Sequence, residues 1–165
     1  VFQKRDLMLM GYDQAVDDNT TLDIFWGLYE IMGVSLVDMR MWQWLYAHPD
    51  ATAQQLREAT LAIAKEVWNT YYYPVLGEQD SPILACYSHM VNAPMYLPNY
   101  PFGHIVEFQL EEHLAQFPTK QAFADEIMRI YKLGKLTPNQ WMQQAVGAKV
   151  STTPILNAVE AILKK

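Results

Sequence analysis

Between Leu22 and Tyr46 the chain sets apolar residues on nearly every side of a helix: Ile24, Phe25, Trp26, Leu28, Tyr29, Ile31, Met32, Val34, Leu36, Val37, Met39, Met41, Trp42, Trp44 and Leu45. Such a helix has no solvent face and must be wrapped all round. A chain of 165 residues has little material for that. Two covers are open: this chain's own later helices, or another polypeptide or domain. A thin polar stripe survives at Asp23, Glu30 and Asp38, whose spacing keeps it on one face over about four turns.

The remaining punctuation is also helical, with no alternating run between glycine turns to argue for a sheet. Residues 1–19 read as an irregular arm or short helix leading to a cap near Thr20 or Thr21. His48-Pro49 ends the long helix, because a residue before proline is driven out of the α region. Thr52 with Gln55 is a capping-box pattern opening a helix over 53–72, with Leu56, Ala59, Ile63, Val67 and Thr70 as its expected core face. Ser81-Pro82 predicts a further helix to Asn92, and Pro94, Pro98 and Pro101 predict a stiff extended loop. Helices follow over 101–117, 120–133, 138–146 and 154–163, with Gly134 and Gly147 as stops. The fold class expected is all-α, an irregular multi-helix bundle in a single domain over 1–165.

Several function classes fall away on composition. A formal charge of −6 and the lack of a basic cluster argue against nucleic acid, whose partners carry cations to displace counterions. No apolar stretch reaches the ~20 residues of a membrane span, and no signal peptide opens the chain, which therefore reads as soluble, its compartment open. Cys86 is alone, so no internal disulfide is available, and a buried structural thiol is expected. The chain begins with Val1, which suits a processed precursor as well as a fragment of something longer, and a fragment is expected. Seven glycines, none closely paired, give no phosphate cradle.

Chemistry concentrates between Cys86 and His113, which hold three of the four histidines. His104, Glu107 and Glu111 share a helix face and could bind a metal or share a proton, although the Glu-x-x-His order of di-metal bundles is absent. His113 reads as a hydrogen-bonded structural histidine. His89 with Tyr96 and Tyr100 offers an imidazole and two phenols in a Pro-rich segment. Such groups serve as donors to an oxyanion, and equally as packing at a helix junction. Nowhere does HExxH occur, the motif by which a helix offers two imidazoles to zinc.

Read in order, LYAHPDATAQQLREATLAIAKEVWNTYY and then a His/Tyr/Pro-Phe stretch entering a helix resemble the C-terminal part of zinc peptidases of the oligoendopeptidase F and thimet oligopeptidase type. A fainter likeness is to angiotensin-converting enzyme, carried by Phe108-Gln109. The likeness spans about residues 22–114. It implies a gluzincin-like helical fold and places His89 as the substrate-binding histidine. Tyr96 and Tyr100 then stand as the oxyanion tyrosines, with Tyr100-Pro101-Phe102 the nearest local match. Gly103-His104 stands where that family has aromatic residues, and the loop differs in length. It further implies that zinc belongs to a complete enzyme and is not held by this chain alone. An upstream catalytic half would carry HExxH, and the substrate would be a peptide. The competing expectation is a non-catalytic helical interaction module docking through the first long helix, with Trp42 and Trp44 as its anchors.

Overall fold

A computed structural model describes residues 17–165, and these form an all-helical fold. The helices are α1 (Asp17–Ala47), α2 (Ala53–Tyr71), α3 (Tyr73–Leu76), α4 (His89–Asn92), α5 (Asn99–Leu114), α6 (Lys120–Tyr131), α7 (Pro138–Val146) and α8 (Thr153–Leu163), with one 3₁₀ turn at Ile83–Ala85. Most of the arm expected over 1–19 lies outside the described residues. Two compact units result. Among the described residues a central unit comprises Trp26–Pro101, and a terminal unit comprises Phe102–Lys165 with residues 17–25.

In the central unit the core gathers Val34, Val37, Ala64, Val67, Trp68, Tyr72, Leu84, Met90 and Leu97. The long apolar helix is wrapped only at its middle. Gly33, Val34, Ser35, Val37 and Asp38 are buried, whereas Trp26, Met32 and Tyr46 stand exposed, Tyr46 at 75%. The expectation of burial all round therefore holds for about two turns of α1. Thr20 and Thr21 lie inside the helix and not at its start, because α1 is already helical at Asp17.

Gly33 has a packing reason that its place in mid-helix does not announce. The Tyr72 hydroxyl accepts from the Gly33 N–H at 2.8 Å and donates to the Tyr29 carbonyl, so a phenol stands at a rung of the i→i−4 ladder. A Cβ at position 33 would collide with the Tyr72 ring. Burial raises the Tyr72 phenol above its ordinary value; the Gly33 N–H pulls it back, and Tyr29 and Glu30 push it up further.

Helix α2 opens with the expected capping box, in which Gln55 N–H donates to Thr52 Oγ1 and Thr52 N–H to Gln55 Oε1. Its buried face is Ala64, Val67 and Trp68, rotated from the expected one. Thr70 is exposed, its hydroxyl turned back onto the Glu66 carbonyl. The helix expected from Ser81 to Asn92 is instead the 3₁₀ turn and the single turn α4. Leu84 and Met90 are both buried, and six residues of continuous helix would aim them about 120° apart. The Pro-rich segment is likewise a chain of tight turns and not extended: Tyr96 N–H reaches Ala93 O, and Asn99 N–H reaches Tyr96 O. Pro101 falls in the first turn of α5, where no N–H is required.

The terminal unit packs Leu114, Ile130 and Ala145, with Phe123, Ile127 and Trp141 against them. Thr119 caps α6, Thr137 with Gln140 caps α7, and Gly147 stops α7 at φ 78°. Glu126 is buried and threefold engaged. His113 Nε2 lies 2.6 Å from its Oε1, and Arg129 donates from Nε to Oε2 at 2.7 Å. The same guanidinium donates to the Gln144 and Ala145 carbonyls at the end of α7. Gln109 is buried too, bonded to the Lys149 carbonyl and to the Ser151 N–H, and so it pins the α7–α8 loop.

Candidate functional site

His89 begins α4, and its ring meets those of Tyr87, 5.3 Å away, and Tyr96, 6.3 Å away and nearly parallel at 17°. Tyr96 in turn meets Tyr100 edge to face, with centroids 5.4 Å apart. The three residues singled out from the sequence thus form one ring cluster in the central unit. Tyr87 joins them, a residue sequence reasoning did not pick although it stands two places before His89. Tyr87, Tyr96 and Tyr100 are all partly exposed. The Nδ1 atom of His89 is buried and without a hydrogen-bond partner. An imidazole nitrogen in that position has unused hydrogen-bonding capacity beside the two tyrosine rings that flank it.

The chain path holding Tyr96 depends on Asp38, which the sequence offered only as part of a polar stripe. That stripe is not uniform: Asp23 and Glu30 are exposed, whereas Asp38 is fully buried. Asp38 Oδ2 accepts from the Met95 N–H at 3.0 Å, and Met95 adopts φ 60°. A left-handed methionine costs about 1 kcal/mol or more, so the carboxylate fixes a turn that the chain would not choose alone. Burial raises the Asp38 pKa above its ordinary value, against the pull of the Met95 N–H and the Trp42 indole. The indole N–H is near enough to favour the charged form, yet neither it nor Asp38 Oδ1 attains hydrogen-bond geometry. An acidic residue in the most apolar part of α1 was the available signal.

Loss of surrounding water pushes the Tyr100 phenol above its usual value, and the neighbouring Tyr96 and Tyr87 phenols add to it. Tyr100 therefore keeps its proton, and remains a donor, throughout the neutral range. Cys86 corrects an expectation, being exposed where a buried thiol was predicted. It follows the 3₁₀ turn whose Leu84 takes the inward position.

The other candidates lie in the terminal unit. His104 Nδ1 and Glu107 Oε2 are 2.9 Å apart, a paired imidazole and carboxylate one helical turn from each other. Glu111 lines a separate cavity of about 550 Å³ with Glu112, Phe108, Asp18 and Lys165. Among the described residues no three of His, Cys, Asp and Glu converge as a metal set would. Nor is any described helix long and apolar enough to cross a membrane. No protein-family model, curated protein or solved structure matches this chain.

Proposed function

We propose that this chain is the C-terminal helical portion of a zinc-dependent peptidase of the oligoendopeptidase F and thimet oligopeptidase type. It would line one wall of a peptide-substrate cleft. The observation that supports the reading is the assembly of His89, Tyr96 and Tyr100 into one partly exposed cluster, with a buried, unpartnered ring nitrogen on His89. In this reading the zinc ligands belong to an upstream half carrying HExxH and not to this chain. The metal would supply Lewis acidity toward the scissile carbonyl when bound there. The work of this chain is different: His89 and a tyrosine donate hydrogen bonds to the carbonyl oxygen as it gains charge. Tyr100, a phenol that keeps its proton at neutral pH, suits that role, and Tyr96 aligns against the imidazole.

In the complete enzyme, His89→Ala and Tyr100→Phe should each lower kcat by about 10²-fold or more, the usual cost of one oxyanion donor, with zinc content unchanged. Wild-type turnover in both variants would remove the reading. A second reading, a non-catalytic interaction module, draws support from the apolar side chains left in solvent, Tyr46 at 75% and Val91 at 86% exposure. Trp42 and Trp44, the anchors expected from the sequence, are both half-buried, and Trp44 stacks on His48. Loss of partner association in Tyr46→Ala, with His89→Ala silent, would favour it.

A further inference from the structure

We propose that the aromatic-walled cavity of the central unit binds a small organic ammonium, a cation with an apolar body such as a trimethylammonium group. The cavity measures about 460 Å³, and Trp26, Tyr29, Glu30, Trp68, Tyr72 and Tyr87 are among its lining residues. Its rings run in an unbroken series. Trp26 and Tyr29 lie 5.6 Å apart, Tyr29 and Tyr72 4.7 Å, and Tyr72 and Trp68 5.2 Å at 11°.

The polar edge of each of these four rings is already committed. Trp26 Nε1 donates to Glu30 Oε1 at 2.8 Å, Tyr29 to the Tyr71 carbonyl at 2.7 Å, Tyr72 to the Tyr29 carbonyl, and Trp68 to the Glu78 carbonyl at 2.5 Å. The rings are therefore fixed in orientation; Trp68 and Tyr72 are buried and stacked on each other, and Trp26, 51% exposed, is the ring of the series with the most open π surface. Aromatic faces attract cations, tryptophan most strongly. Among the described residues Glu30 is the only carboxylate lining the cavity, and no described lysine, arginine or histidine lines it. Its charge is felt within: burial comes first in raising the Tyr72 phenol, with Glu30 adding to the same direction.

An anion would meet Glu30 with nothing to balance it. A bare inorganic cation would have to shed a tight hydration shell against apolar walls. An alkylated ammonium holds its water loosely and satisfies both the carboxylate and the rings. The site stands apart from the peptidase reading, although Tyr87 both lines this cavity and touches His89.

Choline and its neutral isostere 3,3-dimethylbutan-1-ol differ in charge at nearly constant shape, and each can be titrated into the protein by calorimetry. Choline should bind more tightly by about fivefold or more, the range of a partly desolvated cation–π contact. Trp26→Ala and Glu30→Gln, both at exposed positions, should narrow that preference while far-UV circular dichroism stays unchanged. No saturable choline binding, equal affinity for the two probes, or a preference intact in both variants would overturn the proposal. N-acetyl-trimethyllysine methylamide, titrated alongside, separates the sources: tighter binding than choline assigns the site to a modified peptide side chain, and weaker binding to a free small molecule.

Discussion

In the central unit the buried residues Ser35, Tyr72 and Asp38 take backbone partners, namely Ile31 O, the Gly33 and Tyr29 peptide groups and the Met95 N–H, while Asp38 Oδ1, Trp42 Nε1 and His89 Nδ1 are left without one. The terminal unit instead buries Glu126 inside a set of ion pairs with Arg129 and His113. Arg129 holds the Glu126 carboxyl down to about 2, against its burial and with help from His113. Among the described residues no cation offsets the burial of Asp38, and its pKa moves the other way. One unit thus gains from its buried carboxylate at neutral pH and the other bears a cost. The difference follows from task, since Glu126 ties three helices together whereas Asp38 constrains one turn beside the ring cluster.

The largest blow to this contrast should come from Arg129→Met, which leaves Glu126 buried with His113 alone and uncaps α7. A loss of about 3–5 kcal/mol is expected in denaturant titration, with hydrogen exchange accelerating first over α6 and α7. An effect under ~1 kcal/mol would mean that the ion network adds nothing net. Next comes Gly33→Ala, where the new methyl meets the Tyr72 ring. A loss of about 2 kcal/mol is expected, with faster exchange at the centre of α1 and the end of α2. Unchanged stability would show that Tyr72 does not occupy the ladder.

Acid should separate the units more gently. Glu126, depressed from 4.5 to about 2, contributes stability that is present above pH 4.5 and fades as pH falls toward 2. Asp38, raised, contributes a cost that is full above its shifted pKa and is relieved as pH falls toward its ordinary 3.8. Exchange protection, corrected for intrinsic rate, should therefore fall in α6 and α7 on acidification before it falls around α1 and Met95. Glu126→Gln should flatten the first trend. Smallest of all, Asp38→Asn keeps a carbonyl acceptor for the Met95 N–H and removes the charge, so a slight gain at pH 7 is expected in thermal melts. A marked loss would mean that the charge itself holds the turn.

Helices with strong local punctuation were legible: the Thr52 box, the Thr119 cap, and Pro138 to Gly147 give α2, α6 and α7 nearly to the residue. Segments set by distant contacts were not. Ser81–Asn92 carries a helix-start signature, but burying both Leu84 and Met90 breaks it. The Pro-rich loop looked extended because nothing local announces that Asp38, 57 residues away, holds Met95 in a left-handed turn. At the candidate site, His89, Tyr96 and Tyr100 were visible as residue types in a short window. Their meeting, and the share of Tyr87 and Asp38 in it, depended on how the intervening chain turned.

Native mass spectrometry of the protein isolated from its own source, reading total mass and bound zinc together, tests the functional account most directly. A zinc-carrying species heavier than the 19.1 kDa of this chain is expected, with the HExxH half attached or associated. A metal-free species of 19.1 kDa would contradict it.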